Sequence, residues 1–208
     1  MHTRVLLATR NQGKRREYQN LLAGLNLALV TLDEAGIDLE VEETGATFAE
    51  NALLKARGYA HASGLPTLAD DSGLEVDALG GAPGVHSARY AGADATDQDR
   101  CLLLLQSLHN IPEGQRGARF RCVIAVAWPD GAIDVADGTC EGSIAHAPRG
   151  SHGFGYDPVF LPAGRTVTMA ELSPEEKDRI SHRARAAAAL RPALERRLAG
   201  QGQRPPLT

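Results

Sequence analysis

Residues 5–8 form an apolar run bounded by Arg4 on one side and by Thr9, Arg10 and Asn11 on the other, the pattern of a short buried strand that leaves into a polar loop. Tyr18, Leu21 and Leu22 then recur at helical spacing within residues 15–22, so the chain opens as strand, loop, helix. A second strand is predicted over residues 27–31. Further on, Thr47 and Glu50 have the spacing of a capping box, in which each side chain satisfies a free backbone N–H of the other, and they start a helix that runs to about residue 61. At about 100° per residue, Phe48, Ala49, Ala52, Leu53, Ala56, Tyr59 and Ala60 share one arc of that helix, while Glu50, Arg57 and His61 face away. Asn51 and Lys55 stand at i and i+4 on the border of the apolar arc, where a side chain reaches over the rim of the core. A lysine that snorkels to solvent fits the same position.

Residues 67–69 read as a short strand running into Asp70-Asp71-Ser72-Gly73, which has the composition of a turn, and residues 74–79 as a further strand. Gly80-Gly-Ala-Pro-Gly84 opens a loop that carries Arg89 and Tyr90; Thr96 and Asp99 open a leucine-rich helix through residue 108. Residues 118–128 and 132–140, joined by Pro129-Asp130-Gly131, predict a hairpin. A glycine-rich loop, residues 150–157, precedes the apolar residues 159–161. Ser173-Pro174-Glu175-Glu176 combines a cap, a proline at the first helical position and a glutamate at the third, so a helix through residue 180 is expected. An alanine- and arginine-rich helix follows from His182 to about residue 198, bent near Pro192, and residues 200–208 read as a frayed tail. This alternation predicts an α/β fold, with residues 1–199 as one domain and 200–208 as a flexible tail.

At 208 residues, with domains running about 100–200 residues each, the chain is one large domain or two small lobes sharing a core. Its 43% hydrophobic and 23% charged residues exclude wholesale disorder, because there is enough apolar material for a packed interior. With 22 Lys+Arg against 26 Asp+Glu the net charge is -4, which argues against a surface that grips nucleic acid or anionic lipid, so any anion site is local. Cys101, Cys122 and Cys140 are odd in number and lack C-x-x-C spacing; they suggest neither a disulfide framework nor a zinc site, and a reducing compartment fits them. The N-terminal apolar run is too short for a secretory signal or a membrane span, so a cytoplasmic location is expected.

Gly13-Lys14 at a helix start invites a phosphate reading, since free backbone N–H groups and an ammonium together attract phosphate. The Walker pattern fails, because Ala8 and Arg15 stand where glycine and Ser or Thr are required. Asn11 and Gly13 are equally good turn residues. Asp70 and Asp71, with Glu42 and Glu43, are oxygen donors suited to Mg²⁺, though an exposed acidic turn reads the same way, and the offsets are not those of an EF-hand. Gly153-Phe154-Gly155-Tyr156-Asp157 lacks the third glycine of a dinucleotide fingerprint, Pro158 taking its place. It does offer two rings and an acceptor, the parts needed to stack and hydrogen-bond a nucleobase. Ser181-His182-Arg183 lies between two helices, where it serves as helix punctuation or holds an anion or a base. His61, His86, His109 and His146 show no paired metal spacing.

Taken in chain order, Thr9-x-Asn11-x-x-Lys14, Glu42-Glu43-Thr-Gly-x-Thr-Phe-x-Glu-Asn-Ala-x-x-Lys55-Ala, Asp70-Asp71-Ser72-Gly73, Phe154-Gly-Tyr-Asp157 and Ser181-His182-Arg183 resemble one family, the HAM1-like inosine triphosphate pyrophosphatases. The resemblance implies an elongated mixed β-sheet with flanking helices, forming two lobes around a central cleft. It implies Mg²⁺-dependent hydrolysis of ITP, dITP and XTP to the monophosphate and pyrophosphate by a homodimer that cleanses the nucleotide pool. By matching motif, Thr9, Asn11, Lys14 and Lys55 would hold the triphosphate and Ser72 would touch substrate. Glu43 and Asp71 would hold the metal, and Asp71 would also be the catalytic proton acceptor. Phe154, Gly155, Tyr156, Asp157, Lys177, His182 and Arg183 would form the base pocket, with Arg89 as a further phosphate contact. A nucleotide-binding regulator without turnover and a pyrophosphatase for modified pyrimidine nucleotides are the alternatives; the acidic cluster beside the phosphate motif weighs against the regulator.

Overall fold

The computed structural model describes residues 2–201. Strand β1 (Thr3–Leu7) leads into α1 (Gln12–Leu21) and β2 (Leu27–Thr31), and α2 (Phe48–Ser63) is followed by β3 (Thr67–Val76). Helix α3 (Asp97–Ser107) precedes the hairpin β4 (Gly117–Ala127) and β5 (Ile133–Ile144); β6 (Phe160–Pro162), α4 (Pro174–Ile180) and α5 (His182–Gln201) complete the chain. The strands form one mixed sheet in the order β2-β1-β3-β4-β5-β6, with β1 parallel to β2 and β3, and β5 antiparallel to β6. The α/β class expected from the alternation is therefore the observed one.

Local chemistry sets most of the element ends. Capping boxes form at Thr47/Glu50, Thr96/Asp99 and Ser173/Glu176, each satisfying backbone donors that the helix itself leaves open. Gly64 ends α2 in the left-handed region at φ +67°, where a side chain would be strained. The hairpin turn closes where it was expected, with the Trp128 N–H donating to the Ala132 carbonyl. Two expectations are corrected. Residues 70–73 are not a turn between two strands but the middle of the single ten-residue strand β3, while residues 77–79 leave it as a 3₁₀ turn. Turn propensity loses here because the strand is buried along nearly its whole length, and a buried backbone must find its partners in a ladder. Helix α5 continues through Pro192 to Gln201, so Gly200 and Gln201 are helical rather than tail; residues 202–208 lie outside the described residues.

The chain forms two compact units. The first comprises the described residues up to Asp71, Val123–Asp137 and the chain from Ala186; the second comprises Ser72–Cys122 and Gly138–Arg185. In the first unit Val5, Leu6, Tyr18, Ala52, Ala56, Leu68, Trp128, Leu190 and Leu194 are buried. The second has its own core, in which Leu74, Leu104, Leu108, Phe120, Ile144, Phe160 and Met169 pack together.

Candidate functional site

In the first unit, charge gathers where the start of α1, the segment before α2, α2 itself and the middle of β3 meet. Asn11 is the N-cap of α1: its side-chain oxygen accepts from the Lys14 N–H at 2.9 Å, and its own N–H donates to Thr9 Oγ1 at 3.2 Å. Thr9 and Asn11 thus shape the loop that presents the helix start, and Lys14 Nζ extends from it to Asp70 Oδ1 at 3.0 Å. Asp70 and Asp71 point from the middle of β3 into surroundings that leave them only 2% and 6% exposed. Lys55 does not snorkel outward. Its ammonium lies 3.0 Å from Glu43 Oε1 and 3.5 Å from Asp71 Oδ1, so the two carboxylates expected to act together are joined through one cation.

The segment that carries Glu43 is strapped onto α2 at both ends. Its Val41 N–H donates to the Tyr59 hydroxyl at 3.4 Å, and Gly58 makes room for it, since a Cβ there would come within 2.8 Å of Val41 Cγ2. At the other end the Gly45 N–H donates to Asn51 Oδ1 at 2.7 Å, an approach so close that a Cβ on Gly45 would lie 2.6 Å from Glu50 Cβ. The same Asn51 amide donates through Nδ2 to Asp71 Oδ2 at 3.2 Å. Asn51 therefore fixes the Glu43 strap and the Asp71 carboxylate with one planar group. Its place beside Lys55 was legible as an i, i+4 pair; its partners, six and twenty residues away, were not.

Burial pushes the Asp71 carboxyl above its ordinary range; Lys55 and Lys14 pull it down and Glu43 pushes it up again, with a net rise. Burial alone would lower Lys55, but Asp71, Asp70 and Glu43 outweigh that, so Lys55 is raised and stays an ammonium at neutral pH. Among the described residues no three His, Cys, Asp or Glu side chains converge into a ready cation cage. Mg²⁺ does not need one: it binds through one or two carboxylates and keeps several waters. Glu43 and Asp71 are hard oxygen donors held together around a positive charge, and with Asp70 they make three carboxylates beside two lysines. The residues fit the ion.

The second unit carries the aromatic part of the prediction. Gly153 (φ +77°) and Gly155 (φ +62°) turn the loop so that the Phe154 N–H donates to Asp157 Oδ2 at 2.8 Å; a Cβ on Gly153 would collide with that oxygen at 2.0 Å. Asp157 is buried and paired with the buried Lys177. Lys177 Nζ stands 4.7 Å from the Phe154 ring centroid and the Arg183 guanidinium 5.5 Å from it, so two cations lie against one ring. Arg183 also donates to Ser72 Oγ at 2.8 Å, and the buried His182 ring stacks on Phe120 at 4.7 Å and 15°. Ser72, Phe154, Asp157, Lys177, His182 and Arg183 thus belong to one neighbourhood.

Three of the expected contacts also make local bonds. Tyr156 is not a second stacking ring: it is buried in the core, its hydroxyl donates to the Ser87 carbonyl at 2.9 Å, and burial pushes its phenol upward. The Gly155 N–H is taken by Asp97 Oδ2 at 2.7 Å. Arg89 is exposed at the end of a 3₁₀ turn, Gly84–Arg89, with its guanidinium 3.1 Å from His86 Nδ1. A cavity of about 250 Å³ elsewhere in this unit, lined by Cys140, Glu141, Arg165 and Arg185 among others, includes none of the predicted residues. Sequence reasoning missed Asp97 and Arg100 altogether, since both read as ordinary first-turn helix residues.

Residues 5–193 match the model of the Ham1 family. The dITP/XTP pyrophosphatase of Streptomyces avermitilis is 54% identical over 186 residues, which cover 88% of this chain and 93% of that protein. The dITP/XTP pyrophosphatase of Geobacillus kaustophilus is 50% identical over 199 residues, 96% of this chain and 98% of that one. Among solved structures, a HAM1 protein from Coxiella burnetii superposes with a TM-score of 0.85 at 44% identity, covering 93% of this chain and 99% of its own.

Proposed function

The chain belongs to the Ham1 family, and from that premise we propose that it hydrolyses the non-standard purine nucleoside triphosphates dITP, ITP and XTP to the monophosphate and pyrophosphate. The observation that carries the reading is the Lys55 ammonium held between Glu43 and Asp71, with Asp71 oriented by Asn51. A triphosphate brings close to four negative charges, and a chain of net charge -4 must meet them locally. Lys14, Lys55 and the N-terminal N–H groups of α1 would do so, and Arg89 would be a further phosphate contact. Asp71 accepts the proton of the attacking water while the water oxygen bonds to the α-phosphorus and the α–β bridging oxygen leaves with pyrophosphate. A carboxyl raised by burial is a better base than an exposed one, which suits Asp71 to that role.

Glu43 and Asp71 would hold Mg²⁺, which supplies neutralisation of the polyphosphate and a more acidic bound water. The Phe154 ring would stack the purine. Lys177, His182, Arg183 and the loop N–H groups would offer donors to a 6-oxo oxygen. A 6-amino group would leave such donors unpaired at about 1–3 kcal/mol each, which selects against adenine. The protein would act as a cytoplasmic homodimer; three buried free thiols suit a reducing compartment, and no helix among the described residues is long and apolar enough to cross a membrane.

The test is incubation with Mg²⁺ and ITP, dITP, XTP, ATP, GTP or dTTP, with pyrophosphate resolved from orthophosphate. Pyrophosphate from the first three and little product from ATP is expected. Orthophosphate as the primary product would defeat the cleavage position, and equal rates for ATP and ITP would defeat the selectivity.

A further inference from the structure

Two separate bridges in the second unit tie the Phe154 loop to the 3₁₀ turn that ends in Arg89. The first is direct: the buried Tyr156 hydroxyl donates to the Ser87 carbonyl at 2.9 Å, and Ser87 is locked in turn by accepting from the Leu74 N–H at 2.9 Å and donating to the Gly84 carbonyl. The second runs through α3. Asp97 Oδ2 accepts the Gly155 N–H at 2.7 Å, its other oxygen pairs with Arg100, and Arg100 Nη1 donates to the Ala88 carbonyl at 3.0 Å. One turn further along α3, Cys101 Sγ donates to the Gly155 carbonyl at 3.4 Å, so α3 holds Gly155 by both its N–H and its C=O.

The consequence for Phe154 is specific. Its own N–H is fixed by Asp157 and the next N–H by Asp97, so the peptide planes on both sides of the ring are pinned. Gly155 stands at φ +62°, a conformation with no side chain to hold it in place, and Asp97 supplies that restraint from outside the loop. Residues 155 and 156 are thereby linked to residues 88 and 87, immediately before Arg89.

Resting on the activity proposed above, we propose that the Asp97–Arg100 pair is a positioning strut for substrate selection: it holds the Phe154 platform and the Arg89 turn in fixed register, so that a purine seated on the platform sets where its phosphates meet Arg89. Neither residue touches the nucleotide. A base that seats correctly is then rewarded in kcat, and a base that does not is bound without that reward.

The experiment compares wild type with Asp97→Asn, Asp97→Ala and Arg100→Met in kcat and KM for ITP and ATP, with melting temperature and amide exchange measured alongside. Asp97→Asn still accepts the Gly155 N–H but loses the charge link, and Arg100→Met removes that link together with the bonds to the Ala88 and Ala95 carbonyls. Both should keep KM for ITP near wild type while kcat for ITP falls by about 10- to 100-fold, the scale of a misplacement near 1 Å, with kcat for ATP little changed. Asp97→Ala should raise KM for ITP as well, because the platform itself is released. Arg100→Met, although it does not touch Gly155, should also speed exchange of the Gly155 amide. An unchanged ITP-to-ATP ratio of kcat, or equal losses for both nucleotides with a lowered melting temperature, would overturn the strut. If wild type itself fails to prefer ITP, the proposed activity falls, and the amide exchange still decides whether Arg100 restrains the loop.

Discussion

The two charged neighbourhoods of this molecule are built on opposite plans. Around Lys55, three carboxylates, Glu43, Asp70 and Asp71, meet two lysines, so the group carries more carboxylates than ammonium groups, and burial leaves the Asp71 carboxyl raised. Around Phe154, Lys177 pairs with the buried Asp157, and both Lys177 and Arg183 lie against the aromatic ring. The first is richer in carboxylates than in ammonium groups, and the second sets cations against a ring. Under the proposed activity the first would serve the phosphates with their counter-ion and the second the base.

Disabling the first neighbourhood should have the largest effect. Asp71→Asn should lower kcat for ITP by about 10²–10⁴-fold, the range for loss of a positioned general base, while ITP binding persists; near-wild-type single-turnover rates would place the proton acceptor elsewhere. Lys55→Met should destabilise the fold by about 3–5 kcal/mol in urea, because it strands two carboxylates around an apolar side chain. The sign of its pH dependence follows from Asp71. With Lys55 gone the carboxyl rises further above its unfolded value, so stability is present below the ordinary carboxylate range and is lost as pH rises through the higher folded pKa. The variant should therefore be relatively more stable near pH 4–5 than at pH 8, and an urea midpoint independent of pH would contradict the pairing.

Damage to the second neighbourhood should be milder and should fall on binding. Phe154→Ala should cost about 1–3 kcal/mol of stacking, seen as a raised KM for every purine tested, and Phe154→Trp should restore it. A loss confined to kcat would mean that the ring does not carry the base. The smallest effect concerns Cys101, whose thiol burial, aided by Asp97 and Asp157, pushes up to about 12. Its contribution to stability is present below the ordinary thiol range near 9 and is lost as pH rises toward 12, so Cys101→Ala should flatten the alkaline limb of a melting curve measured against pH. Iodoacetamide at pH 8 should label this thiol only after denaturation, since the thiolate is the reacting form.

What could be read from the chain was read where the signal is local. The capping boxes at Thr47, Thr96 and Ser173, the hairpin turn at residues 129–131 and the strand at residues 27–31 lie where short-range chemistry predicts. The i, i+4 pair Asn51 and Lys55 was visible as an oddity on an apolar arc. What was misread is what burial decides. Asp70 to Gly73 has turn composition and is a strand, because the backbone there is buried and its carboxylates find Lys14 and Lys55. Tyr156 looks like a stacking ring and is a core residue, because its hydroxyl has a carbonyl waiting sixty-nine positions earlier in the chain.

The amino-acid order by itself determined the alternating elements, their caps and the family motifs, since these depend on periodicity and on contacts within a few residues. Only the tertiary structure decided which carboxylate meets which lysine, which aromatic ring is buried in the core, and that α3 bonds the Phe154 loop through Gly155. Those outcomes depend on desolvation and on hydrogen bonds between groups far apart in the chain, and neither exists until the two cores have formed.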